Sequence, residues 1–279
     1  MPDSPSGYGK RRLSAEKARG VGWVARVGDL RGDPATLNER QSEPFRVNEE
    51  GFVHKGGRVR EQQTMILFEG NIAAGKSTVG RRLAESGLFG FIEEPVGSWQ
   101  QEFDENLLDL FYRDGHRWAF TFQLAAFTTR AKTWTEVLAM TDHSDVVLER
   151  SIYCDRYVFA KNCFQTGLMS KTEWQLYCKL WDWLQKNWCA EPDKIVYLRT
   201  PADVCHDRIT CRGRNEETAI PLEYLRDLET LHDEWLLGNP QAVVLDGCRQ
   251  WQAQEIYDTL KAAGVPLGGR KKVGTSQAA

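Results

Sequence analysis

The chain has 279 residues, 41% of them hydrophobic, which is enough for one large α/β domain with a buried core. Its formal net charge of −3 at pH 7 argues against a nucleic-acid binder held by phosphate contacts, and no apolar run is long enough to cross a membrane. The seven cysteines include no CxxC pair, so we expect reduced thiols in a soluble, intracellular protein of the cytoplasm, with an organelle such as the mitochondrion as the alternative.

Residues 1–63 differ in composition from the rest of the chain. They are poor in large apolar side chains and show no sustained hydrophobic period, so we expect a disordered extension. The basic excess in residues 1–32 would suit an organelle-targeting leader, but Asp3, Glu16 and Asp29 argue against one. We also expect a disordered tail at residues 265–279.

From residue 64 to residue 264, short apolar runs alternate with helical patterns. The runs predict strands at Met65–Phe68, Gly90–Ile92, Asp145–Leu148, Lys194–Leu198 and Ala242–Leu245. The helical patterns lie at Asp114–Met140, Tyr153–Thr166, Lys171–Trp188 and Pro221–Leu236. Short strands separated by helices indicate an α/β domain with a five-stranded parallel sheet covered on both faces and ligands at the carboxyl ends of the strands.

A phosphate-binding loop follows the first of these strands. It reads Gly70-Asn71-Ile72-Ala73-Ala74-Gly75-Lys76-Ser77-Thr78. The glycines let the backbone N–H groups converge on phosphate oxygens, Lys76 adds a positive charge, and Ser77 offers a hydroxyl to Mg²⁺. A chance Gly-rich turn is the alternative, but the Gly-Lys-Ser spacing after a strand favours binding of a nucleoside triphosphate.

Acidic and basic side chains follow the next two strands. Glu94 lies after the second strand, where a carboxylate can accept the proton of an attacking hydroxyl, although a solvated acidic turn would look the same. Glu149 and Arg150 end the third strand. A carboxylate there suits Mg²⁺ and a guanidinium suits transferring phosphate oxygens, with a structural ion pair as the alternative.

Three arginines, Arg208, Arg212 and Arg214, leave a helical segment into a glycine-containing loop. This arrangement suits a lid that closes on phosphates and neutralises their charge. A solvated basic helix face is the competing interpretation.

Together these motifs make residues 64–264 resemble the deoxyribonucleoside kinase family, most closely its deoxycytidine and deoxyguanosine kinase branch. The matching segments are GNIAAGKST from Gly70, EPVGSW from Glu94, WAFTFQ ending at Gln123, ERSIYCDRYVFA from Glu149 and RGRNEETAIPLEYL from Arg212. The resemblance implies a P-loop nucleoside triphosphate hydrolase-like fold with an arginine-rich lid, and a deoxynucleoside kinase domain over residues 64–264.

The resemblance also implies a role for each matching residue. Glu94 would be the general base for the 5′-hydroxyl, with Arg150 beside the phosphate path and Glu149 joining Ser77 at Mg²⁺. The implied substrate contacts are Tyr112 and Glu217 to the 3′-hydroxyl, Gln123 to the base edge, and Trp99, Phe122 and Phe159 as aromatic walls, filled in by Val96, Leu108 and Phe111. Aromatic residues are also frequent in ordinary cores, so their place within the motifs carries this interpretation.

Arg130 and Asp155 decide the branch. A charged pair in an aromatic pocket can read an exocyclic amino group or a purine edge, whereas thymidine-using relatives have small or apolar residues there. We therefore expect deoxycytidine and purine deoxyribonucleosides as acceptors and poor use of thymidine. A packing ion pair is the alternative role, and it too would fill the space that a 5-methyl group needs.

The sequence therefore predicts a kinase of nucleotide salvage. It would move the γ-phosphoryl group of ATP, or of another triphosphate, to the 5′-hydroxyl of deoxycytidine, deoxyadenosine or deoxyguanosine, with Glu94, Arg150 and Lys76 as catalytic residues. A nucleoside monophosphate kinase would need more basic residues around the acceptor, and a non-catalytic structural relative should have lost one of those three residues. The divergent segment 247–250 leaves the donor base open, and residues 171–188 could form a homodimer interface or a buried core face.

Overall fold

The computed structural model describes residues 64–139 and 145–268, together with three two-residue strands that precede them: β1 Val24–Ala25, β2 Arg46–Val47 and β3 Val53–His54. The strand β1 pairs in parallel with the edge of the main sheet, and β2 pairs with β3 in a separate antiparallel ribbon. The prediction of disorder for the rest of residues 1–63 lies outside the described residues.

The five predicted strands are all present and all parallel. They are β4 Met65–Glu69, β5 Gly90–Ile92, β6 Val146–Glu149, β7 Lys194–Arg199 and β8 Ala242–Asp246. With β1 at one edge, the order across the sheet is β1-β5-β6-β4-β7-β8. The chain leaves β4 toward β5 and later crosses to β7 on the other side, so the order reverses at the carboxyl end of β4. Ligands of open α/β sheets bind at such a switch point.

Helices cover both faces of the sheet. They are α1 Lys76–Glu85, α2 Val96–Gln101, α3 Leu107–Arg113, α4 Gly115–Ala139, α5 Ile152–Cys154, α6 Ala160–Gln165, α7 Lys171–Trp188, α8 Ala202–Arg212, α9 Leu222–Leu236 and α10 Ala253–Ala262. Helix α7 has the predicted bounds because Ser170 and Glu173 form a capping box at its start. None of the described helices is both long and apolar enough to span a membrane.

The predicted helix Tyr153–Thr166 is wrong in one respect. A π-helical turn, Asp155–Phe159, separates α5 from α6. Such wider turns recur at functional sites, and both end residues of this one line the cavity described below. Hydrophobic period alone does not distinguish one π-turn from a regular helix.

The two faces of β4 enter two separate cores. Met65 and Leu67 pack on the side of α4, while Ile66 and Phe68 pack on the side of α1. Helix α1 can lie directly on the sheet because of Gly80, where a Cβ atom would lie 2.1 Å from the Phe91 ring. The phosphate-binding loop, which joins β4 to α1, is therefore anchored at both ends in buried structure.

The packed domain extends beyond its predicted end at residue 264. Val265 is buried in the core beneath α1, and the Thr64 hydroxyl donates a hydrogen bond to the Pro266 carbonyl at 2.8 Å. The amide of Gly268 donates to Asp145 at 3.0 Å. Residues 265–268 therefore belong to the domain, and the remaining predicted tail, residues 269–279, lies outside the described residues.

Candidate active site

A cavity of about 990 Å³ opens at the switch point, at the carboxyl ends of the strands. It brings together every predicted site residue except Gly70 and Asn71. Asn71 lies beneath the loop, where its side-chain amide donates to the Leu225 carbonyl at 2.8 Å and its side-chain oxygen accepts from the Ile72 amide at 2.8 Å. Its role is therefore to brace the loop against α9.

The phosphate-binding loop has the backbone that its glycines predict. Gly70 and Gly75 have φ angles of 144° and 104°, and a Cβ atom at Gly70 would lie 2.6 Å from the Leu198 carbonyl oxygen. The ammonium of Lys76 donates to the carbonyls of Gly70 and Asn71 at 3.2 and 2.8 Å. Burial, with the nearby Arg150, lowers the pKa of Lys76 to about 8.

Two oxygen ligands suited to a hard cation meet beside this loop. The Ser77 hydroxyl donates to Glu149 Oε1 at 2.7 Å, and both residues line the cavity. Ser77 lies in the first turn of α1 and Glu149 is the last residue of β6. The two predicted metal ligands are thus brought together by elements that are far apart in sequence.

Glu94 lies between two arginines. Its Oε1 atom forms an ion pair with Arg150 Nε at 3.0 Å and another with Arg130 Nη2. Burial would raise the pKa of Glu94, but Arg150, Arg130 and Lys76 outweigh it and hold the pKa at about 2. The carboxylate is therefore ionised throughout the neutral range.

Arg150 has the less common left-handed backbone, with a φ angle of 64°. Its Nη1 atom donates to the Gly70 carbonyl at 2.9 Å, and its guanidinium lies 4.7 Å from the centre of the Phe159 ring. Arg150 is only 4% exposed, so these contacts set the direction of its side chain. Arg150 consequently links the phosphate loop to Glu94.

Arg130 and Asp155 form the predicted pair in the acceptor part of the cavity, and both are buried. The Arg130 guanidinium also lies 4.9 Å from the centre of the Trp99 ring. Burial raises the pKa of Asp155 to about 6, although Arg130 works in the opposite direction. The contact of Arg130 with Glu94 was not predicted from sequence, because 36 residues separate the two positions and no pattern links them.

Aromatic rings form one wall of the cavity. Phe122 meets Trp99 edge-on at 5.4 Å and stacks on Phe111 at 4.9 Å. Next to Phe122, Gln123 is 1% exposed, and the group beside its side-chain amide is the buried thiol of Cys163, which forms only weak hydrogen bonds. A buried amide with so weak a partner is unusual in a folded protein and calls for an explanation.

The three arginines predicted as a lid contact protein oxygens. Arg208, in α8, donates to the carbonyls of Ala74 and Gly247, each at 3.0 Å. Arg212 and Arg214 both form ion pairs with the buried carboxylate of Glu217, the latter at 3.1 Å. A lid that closes over phosphates stays a prediction.

The cavity also contains residues that the sequence did not single out. Gln100, at the end of α2, donates to Glu216 from the arginine-bearing loop, so the two sides of the cavity touch. Tyr224 is also new and lines the same region as the predicted Tyr112, and burial raises the pKa of both phenols. Sequence spacing offers no signal for the Gln100 contact, since its partner is 116 positions away.

A parallel sheet with a phosphate-binding loop at its switch point is the architecture of P-loop kinases. The family model for deoxynucleoside kinases matches residues 66–259. The chain is 37% identical to human deoxycytidine kinase over 227 residues, which cover 73% of this chain and 83% of that protein.

Two further relatives have related names. Human mitochondrial thymidine kinase 2 is 33% identical over 221 residues, or 77% of this chain and 81% of that protein. A probable deoxycytidine kinase of fowlpox virus is 38% identical over 179 residues, or 64% of this chain and 74% of that protein. The chain belongs to the deoxynucleoside kinase family, whose members are phosphotransferases of nucleotide salvage that use a nucleotide as phosphate donor.

Proposed function

We propose that this kinase moves the γ-phosphoryl group of ATP to the 5′-hydroxyl of deoxycytidine or of a purine deoxyribonucleoside, and that thymidine is a poor acceptor. One observation carries the choice of base. Two residues of the acceptor pocket, Arg130 and Asp155, keep buried polar atoms without hydrogen-bond partners among the described residues, and the buried Gln123 amide has only the weakly bonding Cys163 thiol beside it. Unpaired buried polar atoms destabilise a protein, so a ligand that pairs with them binds with corresponding specificity.

The chemistry of these atoms favours a base with an amino group. The Gln123 amide offers one acceptor and donors, and Asp155 Oδ2 is an acceptor when ionised. The exocyclic amino groups of cytosine and adenine supply the donor that such an acceptor needs. Thymine has a carbonyl oxygen at the corresponding position and carries a 5-methyl group, which the buried Arg130 and Asp155 side chains leave little space for.

The catalytic assignment follows from the neighbours of Glu94. Its ionised carboxylate is the proposed acceptor of the 5′-hydroxyl proton, and Arg150 lies on the path between this carboxylate and the phosphate loop. Lys76, with Arg208, Arg212 and Arg214, is proposed to neutralise the triphosphate as charge develops.

Ser77 and Glu149 are the proposed protein ligands of Mg²⁺. Their oxygen atoms already lie within hydrogen-bond distance of each other, and a magnesium ion bound to triphosphate typically takes only one or two protein ligands. When bound, the ion would neutralise charge on the donor phosphates.

Tyr112 and Glu217 are the proposed partners of the 3′-hydroxyl. Both residues line the cavity, and Glu217 is only 4% exposed. Because Glu217 is also the ion-pair partner of Arg212 and Arg214, the acceptor sugar and the arginine-bearing loop would share one carboxylate. Sugar binding would in this way influence the arginines of the donor site.

A nucleoside monophosphate kinase fits the same cavity less well. Such an enzyme needs cations for a second phosphate at the acceptor end. The two guanidinium groups described there, those of Arg130 and Arg150, already face carboxylates. The presence of Lys76, Glu94 and Arg150 likewise weighs against a non-catalytic relative.

We further propose a homodimer through α7. Helix α7 packs one side against α4 and exposes Leu176, Trp183 and Trp188, each close to half exposed. Leu176 and Trp183 are seven residues apart and share one helix face, and exposed large apolar side chains of this kind are typical of an interface. Sedimentation of the purified chain would give twice the monomer mass if this is correct.

The experiment that tests the function is a coupled assay of ATP-dependent phosphorylation with the four deoxyribonucleosides and with cytidine as ribose control. We expect the highest kcat/KM with deoxycytidine or a purine deoxyribonucleoside, lower values with cytidine and the lowest with thymidine. A preference for thymidine would overturn the assignment of the base, and phosphorylation of deoxycytidine monophosphate but not of nucleosides would overturn the assignment of the acceptor.

A further inference from the structure

A fully buried carboxyl group lies behind the cavity and outside its lining. Glu69 is the last residue of β4, directly before the phosphate-binding loop, and has no exposed surface. Its Oε1 atom accepts a hydrogen bond from the Ser151 hydroxyl, and the Cys154 thiol also contacts the carboxyl group. Acidic side chains are rarely fully buried unless they are paired, so the position of Glu69 needs a physical explanation.

The hydrogen bond between Ser151 and Glu69 has a defined direction. The Ser151 oxygen accepts from the amides of Tyr153 and Cys154 at 3.2 and 3.4 Å, which caps the start of α5. A hydroxyl has one proton, and two N–H donors occupy its lone pairs, so this proton points to Glu69. The carboxyl of Glu69 therefore helps to fix the rotamer of Ser151, the residue that caps α5.

Ser151 follows directly after Arg150, whose left-handed backbone is retained only if its surroundings hold it. Three consecutive residues at the end of β4 supply that restraint. The Phe68 carbonyl accepts from the Arg150 amide at 2.9 Å, the Gly70 carbonyl accepts from the Arg150 guanidinium at 2.9 Å, and Glu69 binds Ser151 between them.

We propose that Glu69 is a positioning residue, which holds Ser151 and thereby keeps the Arg150 turn in the conformation that directs its guanidinium at Glu94 and the phosphate path. The inference rests on the role proposed above for Arg150. Glu69 acts through a hydrogen bond and not through charge, because what Ser151 needs is an oxygen acceptor.

The surroundings of Glu69 agree with a role that does not require ionisation. Burial raises the pKa of Glu69 to about 7, whereas Ser151, Arg150, Cys154 and Lys76 lower it. Near neutral pH the group is thus partly protonated, and its carbonyl oxygen still accepts from Ser151 in either form. A glutamine, which keeps that oxygen, is therefore the conservative replacement.

The test compares Glu69→Ala, Glu69→Gln and Ser151→Ala in the full chain, with deoxycytidine and ATP as substrates. We expect Glu69→Ala and Ser151→Ala each to lower kcat by roughly 10-fold or more with KM for the nucleoside changed by less than about 3-fold, since a misplaced catalytic group reduces turnover more than binding. The double variant should be no slower than the slower single variant, because both changes break one contact. Glu69→Gln should retain kcat within about 3-fold of the parent.

Leu260→Ala is the matched control for loss of stability. Leu260 is buried in the same core as β4 but lies in α10, away from the cavity, so its truncation should lower the melting temperature and leave kcat unchanged. If Glu69→Ala does not fold, Ser151→Ala and Glu69→Gln decide the matter. Normal kcat in Ser151→Ala, or a Glu69→Gln variant as slow as the alanine variants, would overturn the proposal.

Arg150→Met separates this proposal from the one on which it rests. If Arg150→Met keeps normal kcat, the proposed catalytic role of Arg150 is wrong, and the positioning role of Glu69 is wrong with it. If Arg150→Met is slow while Ser151→Ala is normal, the role of Arg150 stands and only that of Glu69 is refuted.

Discussion

Arg130 binds Glu94 as well as Asp155, each through a different nitrogen of its guanidinium group. The residue expected to read the nucleobase therefore also holds the proposed catalytic carboxylate. In the proposed function, base recognition and proton abstraction therefore depend on one cation, so a substitution that alters base specificity should also alter turnover.

The first prediction concerns the charged pair. Arg130→Met alone should impair all substrates because it leaves the buried Asp155 without its cation and takes one arginine from Glu94. Asp155→Ala alone should impair them because Arg130 is then left with Glu94 as its one recorded carboxylate partner among the described residues. The double variant removes both charges and opens space near the 5-position of the base. Its ratio of kcat/KM for thymidine over deoxycytidine should rise, and purine deoxyribonucleosides should lose contacts worth about 1–3 kcal/mol.

Steady-state kinetics of the parent, both singles and the double variant measure this ratio. Because Glu94 loses one of its two arginines in the double variant, kcat should fall for every substrate even while the ratio changes. If the double variant has the same ratio of kcat/KM for thymidine over deoxycytidine as the parent, Arg130 and Asp155 do not read the base.

The second prediction concerns Glu94. Glu94→Gln keeps the size of the side chain but removes the proton acceptor, so turnover should fall by roughly 10²-fold or more with nucleoside binding nearly intact. Calorimetric titration with deoxycytidine and a coupled assay measure the two effects. Glu93→Gln is the matched control, since the adjacent Glu93 also lines the cavity but pairs with Arg81 instead of Arg130 and Arg150, and its replacement should cost little turnover. Near-normal turnover in Glu94→Gln would remove this residue from the role of base.

The third prediction concerns the buried amide of Gln123. Gln123→Leu removes two buried polar atoms whose recorded neighbour is only the weakly bonding Cys163 thiol, so the free energy of unfolding should stay the same or increase. The same change should weaken deoxyribonucleoside binding by about 1–3 kcal/mol. Denaturant titration should show the unchanged or higher stability, and calorimetry should show the weaker deoxyribonucleoside binding. A variant that loses stability but keeps its affinity would mean that Gln123 is an ordinary core residue.

The fourth prediction concerns pH. The raised pKa of Glu69, from 4.5 to about 7, means that the folded protein binds more protons than the unfolded chain between these values. This contribution to stability is complete below about pH 4.5 and is lost as the pH rises through about 7. Relative to Glu69→Gln, the parent should therefore lose up to roughly 3 kcal/mol of unfolding free energy between pH 5 and pH 8. Urea titrations at several pH values measure it, with the exposed Glu105→Gln as control, and a constant difference would contradict it.

The fifth prediction concerns residues 1–61. Their composition does not supply a core, so a chain that begins at Gln62 should fold cooperatively and keep full activity. Removing β1 takes away two residues that pair with the outer edge of β5. Thermal unfolding and kcat of the shortened chain provide the measurement, and loss of the folding transition would assign these residues a structural role.

The sheet could be predicted from sequence because its strands are continuous apolar runs, which only a sheet buried on both faces requires. Strand β4 is the clearest case, since all five of its residues are buried. The position of Glu149 at the last place of β6, paired with Phe68, also agrees with the prediction that a polar residue ends that strand.

The partners of the charged residues could not be predicted in the same way. Arg130 and Arg208 were singled out by motif and by position, but their contacts with Glu94 and with the Gly247 carbonyl depend on how separate helices pack. Glu69 was missed altogether, because a single acidic residue at the end of an apolar run looks like the solvated end of a strand. Its buried state follows from the turn that covers it, which no local pattern describes.

Arg208 holds the carbonyls of Ala74 and Gly247, as Lys76 holds those of the phosphate loop. In the proposed function, entry of a triphosphate would be an exchange reaction, in which these cations leave neutral carbonyl oxygens for charged phosphate oxygens. Hydrogen bonds to ionised groups are roughly twice as strong as those between neutral groups. The gain in binding free energy for the triphosphate would therefore be the difference between the new and the old hydrogen bonds, and not the full strength of each new one. After transfer of the γ-phosphoryl group, the same carbonyls would again accept hydrogen bonds from these cations, so the cations would keep hydrogen-bond partners when the product nucleotide leaves.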